Sequence, residues 1–152
     1  MNPSVDAAMD EALELARQAA LQDEVPVGAV VLHAGQVIGR GYNQRESKND
    51  PLSHAELEAI REAAKTLKSW RLENCTIVVT LEPCPMCLAA MQQARVAHVI
   101  YGADDPKGGA LSLGYRVHED LRTHHRFSVE KRQRAECSTL LSEFFKKKRI
   151  KA

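Results

Sequence analysis

Four side chains in this sequence have types and spacing that suit hydrolysis at a metal. Cys84 and Cys87 stand in LEPCPMC (81–87), with Pro83 and Pro85 on either side of Cys84, and His54 and Glu56 stand upstream in SHAEL (53–57). Residues three apart on a helix share a face, so both sulfurs can reach one ion. Pro85 suits the first turn of a helix, where its missing N–H costs nothing. The partial positive charge at a helix N-terminus favours thiolate over thiol. His54 falls at another helix start, just after a loop containing Pro51. One imidazole and two thiolates make three ligands. Zinc prefers four, and three protein ligands plus water is the pattern of a catalytic centre.

Plainer readings stand beside this one. A C-x-x-C pair also suits a redox couple or two buried structural thiols. A closed structural zinc centre would need one more ligand, and Cys75, Cys137, His33, His98, His118, His124 and His125 are the candidates. Cys75, at a strand start, reads as core. Ser53-x-x-Glu56 fits a capping box, in which Glu56 only ties down the helix start. Beside an open zinc, the same carboxylate can take a proton from water and hand it to a leaving group.

The elements that must position these residues follow from periodicity. The chain has 152 residues, 44% hydrophobic and 27% charged, with a net charge of +1. That length predicts one domain, residues 1–152, with a real core. The small net charge gives no bulk field for nucleic acid, but Lys146, Lys147, Lys148, Arg149 and Lys151 form a basic C-terminal helix end from about 146. No apolar run approaches the ~20 residues of a membrane span. The acidic, amphipathic N-terminus lacks the pattern of a signal peptide. Cytoplasmic residence, with cysteines as thiols or metal ligands, is therefore expected.

Val5 to Leu21 reads as a helix with Ser4 as its N-cap. Val27 to Leu32 and Gln36 to Tyr42 read as a hairpin about Ala34–Gly35. Asn43 to Asp50 reads as a loop. Pro51 to Leu67 reads as a helix burying Leu57, Ile60, Ala63, Ala64 and Leu67. Thr76 to Thr80 is a strand covered on both faces, and Pro85 to Arg95 a helix. Strands at Val96–Tyr101 and Arg126–Val129 precede a closing helix, Arg132 to Lys148, with Leu140, Leu141, Phe144 and Phe145 inward. Strand–helix alternation after residue 50 predicts a three-layer α/β/α domain with at least one parallel pair.

HAE at 54–56 followed by PCPMC at 83–87 resembles the signature of the zinc-dependent cytidine and nucleoside deaminases. DEVPVGAVV (23–31), GYN (41–43), DP (50–51), TLEPCPMC (80–87) and ECSTLLSEFFKKKR (136–149) extend the resemblance to the bacterial tRNA adenosine deaminases. It implies a central mixed, mostly parallel five-stranded sheet flanked by helices, and a homodimer. It implies one zinc per subunit on His54, Cys84 and Cys87, with Glu56 as the proton shuttle. It implies that a wobble adenosine in a tRNA anticodon stem-loop becomes inosine. Asn43 resembles the asparagine that contacts the flipped nucleoside. Val27, Gly28 and Ala29 resemble the pocket wall. Asp105 resembles the acid that touches the anticodon-loop backbone, with Lys107 beside it, and His125 keeps the family register. Phe145, Lys148 and Arg149 belong to a terminal helix with aromatics inward and basic residues towards the RNA.

Two stretches depart from the family pattern. His124 replaces a neutral amide, and ALSLGYRVHED (110–120) is not a close match. Two rival functions stand: a deaminase of a free nucleobase or nucleoside of guanine or cytosine type, and a non-catalytic zinc-stabilised RNA-binding module that has no use for Glu56.

Overall fold

The computed structural model describes residues 3–151, so residues 1, 2 and 152 of the expected domain lie outside the described residues. The elements are α1 (Pro3–Leu21), β1 (Gly28–His33), β2 (Gln36–Tyr42), α2 (Arg45–Lys48), α3 (Ala55–Leu67), β3 (Cys75–Val79), α4 (Pro85–Gln93), β4 (His98–Tyr101), a 3₁₀ turn (Val117–Glu119), β5 (Ser128–Lys131) and α5 (Ala135–Lys151). The five strands form one sheet in the order β2-β1-β3-β4-β5. β1 is antiparallel to both β2 and β3, whereas β3, β4 and β5 are mutually parallel. Four strands thus run one way and β1 alone runs the other. This is the mixed, mostly parallel α/β/α sandwich that the sequence leads one to expect.

The strands read as near-continuous apolar runs because both faces are covered. Val30, Leu32, Val78 and Ile100 face α1 and the start of α5, meeting Val5, Met9, Leu13 and Cys137. Ala29, Val31, Ile77, Val79, Val99 and Tyr101 face α3 and α4, meeting Ala55, Ala59, Ala63, Leu88 and Met91. The β1–β2 turn is tight because Ala34 and Gly35 both take positive φ, 51° and 78°, as a two-residue hairpin of primed type requires.

Two close helix–strand contacts set the depth of the site. A methyl group on Gly28 would overlap the Ala12 carbonyl oxygen of α1, and one on Gly41 would overlap the Ala55 carbonyl of α3. Gly39 meets Ala59 and Ala63 in the same way. The buried face of α3 is therefore Ala55, Glu56, Ala59 and Ala63. Of the expected face, Ala63 is fully buried, but Leu57, Ile60, Ala64 and Leu67 are only partly buried against the core. Small residues win the centre because the helix backbone lies against glycine.

Several boundaries differ from expectation. The first helix opens at Pro3, which puts Ser4 within its first turn rather than at its cap. Residues 43–50 are not all loop, since α2 forms one helical turn there. α3 begins at Ala55, so Pro51 precedes the helix. α5 begins at Ala135, and Phe145 is 44% exposed rather than inward. β4 and β5 each start two residues later than read, at His98 and Ser128, and β5 runs on to Lys131.

Candidate active site

Both helices that carry the candidate ligands start at the same end of the sheet, beyond the C-terminal ends of β2 and β3. His54 is the N-cap of α3, with φ −83° and ψ 153°, and Cys84 is the N-cap of α4, with φ −73° and ψ 169°. An N-cap side chain ordinarily accepts a hydrogen bond from the first turn. Neither residue's side chain does so here. Both turn instead towards one point, joined by Cys87 from the first turn of α4. The structure also removes the capping-box reading: the cap position belongs to His54, one residue beyond Ser53, and the Ser53 hydroxyl is buried with no hydrogen-bond partner among the described residues.

The ligand atoms of His54, Cys84 and Cys87 lie within 4.8 Å of one another. His54 Nδ1 is 3.6 Å from Cys84 Sγ and 3.5 Å from Cys87 Sγ. Tetrahedral bonds of about 2.05 Å to nitrogen and about 2.3 Å to sulfur require N···S edges of about 3.6 Å. Both N···S edges therefore match those of a zinc-sized ion. No other His/Cys/Asp/Glu group of this kind occurs among the described residues. Cys75 and Cys137 are buried in the two halves of the core, and the expected candidates for a fourth ligand do not reach this point.

Charge is tuned at the same spot. Cys87 and His54 stabilise the Cys84 thiolate and, against burial, draw its pKa down to about 4, while the neighbouring Cys84 sulfur and burial push Cys87 up. His54 is raised, chiefly by its hydrogen bond with Cys84. Glu56, only 4% exposed, is pushed up to about 7 by burial, against the pull of its own backbone N–H and of His54. A carboxyl placed there can take and release a proton near neutral pH.

These groups open onto a cavity of ≈ 180 Å³. Its floor is His54, Ala55, Glu56 and Cys84; one wall is Val25, Val27, Asn43 and Arg45, and the other is Leu81, Glu82 and Asp105. Asn43 is 8% exposed. Its amide nitrogen donates to the Val25 carbonyl at 3.4 Å, and its Oδ1 is buried without a partner among the described residues. That oxygen can accept a hydrogen bond from a bound molecule. Two buried carboxylates organise the walls. Glu24 accepts hydrogen bonds from Glu46 N (3.1 Å), Ser47 N (2.6 Å) and Ser47 Oγ (2.5 Å), and so caps α2. Burial works to raise the Glu24 carboxyl, but the bonds from Ser47 and Glu46 outweigh it and the net shift is downward. Glu82 accepts from Asp105 N, Ser112 N and Ser112 Oγ.

The remaining expected site residues divide. Gly28 and Ala29 do not line the cavity: Gly28 is filled by α1, and Ala29 is fully buried in the core. Lys107 is exposed in the loop after β4, its backbone N–H donating to Asp105 Oδ1 at 3.3 Å. His125 lies away from the cavity; its Nε2 bonds the Val96 carbonyl at 2.6 Å and its ring stacks on Phe127. Phe145 and Lys148 line a second groove of ≈ 770 Å³ that shares Val25, Asn43 and Arg45 with the cavity. Arg149 is exposed on α5 and lines neither. Sequence reasoning missed Glu24, Arg45 and Glu82. Their only signal was position inside DEVPVG, GYNQR and TLEPC.

A His–Cys–Cys corner with a buried carboxyl beside it, opening onto a small cavity, can hold a metal and move a proton. The chain belongs to the MafB19-like deaminase family, which it matches over residues 3–149. It is 42% identical over 144 residues to a tRNA-specific adenosine deaminase of Bacillus subtilis (strain 168), covering 94% of this chain and 89% of that protein. It is 59% identical over 106 residues to a tRNA(Ile)-lysidine synthase of Deinococcus radiodurans, where the match covers 69% of this chain but only 18% of the relative. A solved structure from a study of A-to-I editing by tRNA:A34 deaminases at the wobble position of transfer RNA superposes with a TM-score of 0.79 at 43% identity, covering 84% of this chain and 98% of that one.

Proposed function

We propose that this chain is a zinc-dependent hydrolytic deaminase that converts adenosine to inosine at the wobble position of a tRNA anticodon. One observation carries the reading: two N-cap side chains, His54 and Cys84, forgo capping and meet Cys87 at N···S spacings of 3.5–3.6 Å, with buried Glu56 in the same small cavity. The relatedness to tRNA adenosine deaminases supports the substrate. His54, Cys84 and Cys87 would hold one zinc per subunit. When bound, zinc supplies Lewis-acid activation of water.

The chain's own residues do the rest. The wobble adenosine leaves its stack, at a cost that is lowest in a single-stranded loop, and enters between the Asn43 and Asp105 walls. Asn43 Oδ1 accepts a hydrogen bond from the nucleoside and orients it. Glu56 takes one proton from the attacking water and delivers it to ring N1, then carries the remaining proton of the added hydroxyl to the exocyclic amine. The C–N bond breaks, ammonia leaves, and the water oxygen becomes the carbonyl of inosine. Burial of Glu56 supports this role, because a carboxyl near 7 can both accept and donate. Phe145 and Lys148, in the adjoining groove, hold the flanking nucleotides, and Arg149 and Lys107 meet phosphates. His125, far from the cavity, has no part in this chemistry.

Residues 1–152 act as one deaminase domain, in the cytoplasm where tRNA is processed. Among the described residues no helix is long and apolar enough to cross a membrane. The active form is a homodimer; the exposed apolar side chains Leu113, Tyr115 and Leu121 support a covering second copy. Light scattering at working concentration tests the dimer.

The deciding assay compares zinc-loaded wild type with Glu56→Ala on an anticodon stem-loop bearing a wobble adenosine, scored for inosine. Inosine from wild type alone, with zinc retained in the variant, is the expected result. No inosine from wild type, with turnover of free guanine or cytosine, moves the chain to the nucleobase deaminases. Undiminished inosine formation by Glu56→Ala removes Glu56 from the proton transfer, and a wild type that binds the stem-loop but turns over no base returns the chain to the zinc-stabilised binding modules.

A further inference from the structure

Glu82 is a carboxylate for which the proposed chemistry has no use, yet it is only 3% exposed and lies on the cavity wall. Among the described residues it pairs with no cation. It accepts three hydrogen bonds, all from the segment that follows β4: from Asp105 N at 3.0 Å, Ser112 N at 2.8 Å and Ser112 Oγ at 2.7 Å. The two partners lie seven residues apart, so one side chain clips the beginning of this loop to its end. The fit is tight. A methyl group on Gly109 would overlap the Glu82 carboxylate. Backbone bonds from Glu82 N to the Ala103 carbonyl and from Ala110 N to the Pro83 carbonyl, each 2.8 Å, stitch the loop to the approach of α4. The clip holds Asp105 in the lining of the cavity that Asn43 also lines, with its Oδ1 receiving Gly108 N at 3.1 Å.

We propose that Glu82 is a positioning residue that acts through Asp105: by clipping residues 105 and 112 together it sets the wall against which the polynucleotide is held. This rests on the RNA substrate proposed above. A buried carboxylate receiving two amides and a hydroxyl fixes backbone more firmly than a neutral acceptor. Glutamine keeps the size but turns one acceptor into a donor that faces an N–H, so at least one clip is lost.

The test uses zinc-loaded, full-length protein and two readouts. Hydrogen exchange by NMR reports the amides of residues 105 and 112. In Glu82→Gln they should exchange at least about tenfold faster, while residues 46 and 47, held by Glu24, keep their protection. Steady-state kinetics on the anticodon stem-loop should show KM raised about tenfold and kcat changed much less. In an Asp105→Asn background the same substitution should raise KM less than about twofold, because the two act as one unit. Unchanged exchange at 105 and 112 overturns the proposal whatever the RNA assay gives. So does an equal KM effect with and without Asp105. If Glu82→Gln does not fold, Ser112→Ala removes a single clip and should raise KM about threefold; an unchanged KM there overturns the proposal. Wild type that makes no inosine sinks the RNA substrate, and with it the action through Asp105, whereas faster exchange at 105 and 112 would still establish the clip itself.

Discussion

Glu56 and Lys148 are both charged and both border the same connected cavities, but different forces hold them. Glu56 is 4% exposed, on the first turn of a helix whose backbone rests on glycines of β2. Lys148 is 44% exposed at the side chain and pairs with exposed Asp23 at 2.6 Å. At the floor, burial controls protonation and packing controls position to a fraction of an ångström. On α5, water screens the charges and a long side chain chooses among several partners, so a single ion pair there contributes about 0–1 kcal/mol. The difference matches the two tasks proposed for them. Moving a proton needs a fixed, desolvated acid, whereas holding a polyanion needs only mobile cations near phosphates.

Breaking the floor should cost most. Glu56→Gln keeps the shape and removes the acid, so kcat should fall about 10³-fold with zinc content unchanged, as judged by metal analysis beside the inosine assay. A loss of only a few fold would put the floor on the same footing as the rim. The next largest effect tests position instead of charge. Gly41→Ala forces a methyl group into the Ala55 carbonyl and lifts the start of α3, which carries His54 and Glu56. It should lower stability by about 1–3 kcal/mol in urea titrations and reduce zinc affinity as well. Normal zinc binding in a destabilised variant would separate helix packing from ligand placement.

The rim should respond more gently. Lys148→Ala should weaken stem-loop binding by a few fold and reduce the dependence of log K on log salt by about 0.7, the share of one phosphate on a single strand. Its kcat at saturating RNA should stay close to wild type. A salt slope equal to wild type would take Lys148 out of the RNA contact. The smallest effect concerns acid stability at the Asn43 wall. The folded-state pKa of Glu24 lies below its ordinary 4.5. Its stabilisation is therefore complete above that value and disappears as pH falls through the lower folded value. Glu24→Gln should flatten the loss of stability in this acid window, measured by urea unfolding at stepped pH, and should change it little at neutral pH apart from a constant offset.

Much of the architecture was legible because its signals are local. The hairpin shows in Ala34–Gly35, β3 in its β-branched run, and α4 in Pro85. The ligand set was legible because cysteines three apart and a histidine at a second helix start are rare in combination. Errors came where the deciding contact is distant in sequence. α2 was read as loop because its cap is Glu24, 22 residues away. The expected start of α3 at Pro51 is early because proline suits a first helical turn, whereas the helix begins at Ala55 with His54 as its cap. Gly28 was read as a pocket residue because a glycine near a site suggests room for ligand, but α1 fills that room. Phe145 was read as inward from its type alone. The spacing that makes His125 look like a site residue is real, but its chain segment passes the far end of α4.

By itself the sequence determined the longer elements, the order in which strands and helices alternate, and the residue types able to hold a metal and carry a proton. Those depend on neighbours three or four positions away, which periodicity records. Only the tertiary structure decided that two helix N-caps face one another across 3.5–3.6 Å, that Glu56 is buried deeply enough to reach about 7, and that Glu24 and Glu82 each hold one wall of the cavity. Distance, burial and hydrogen bonding between segments tens of residues apart are set by how glycine and alanine let the helices settle on the sheet, and no local pattern encodes that depth.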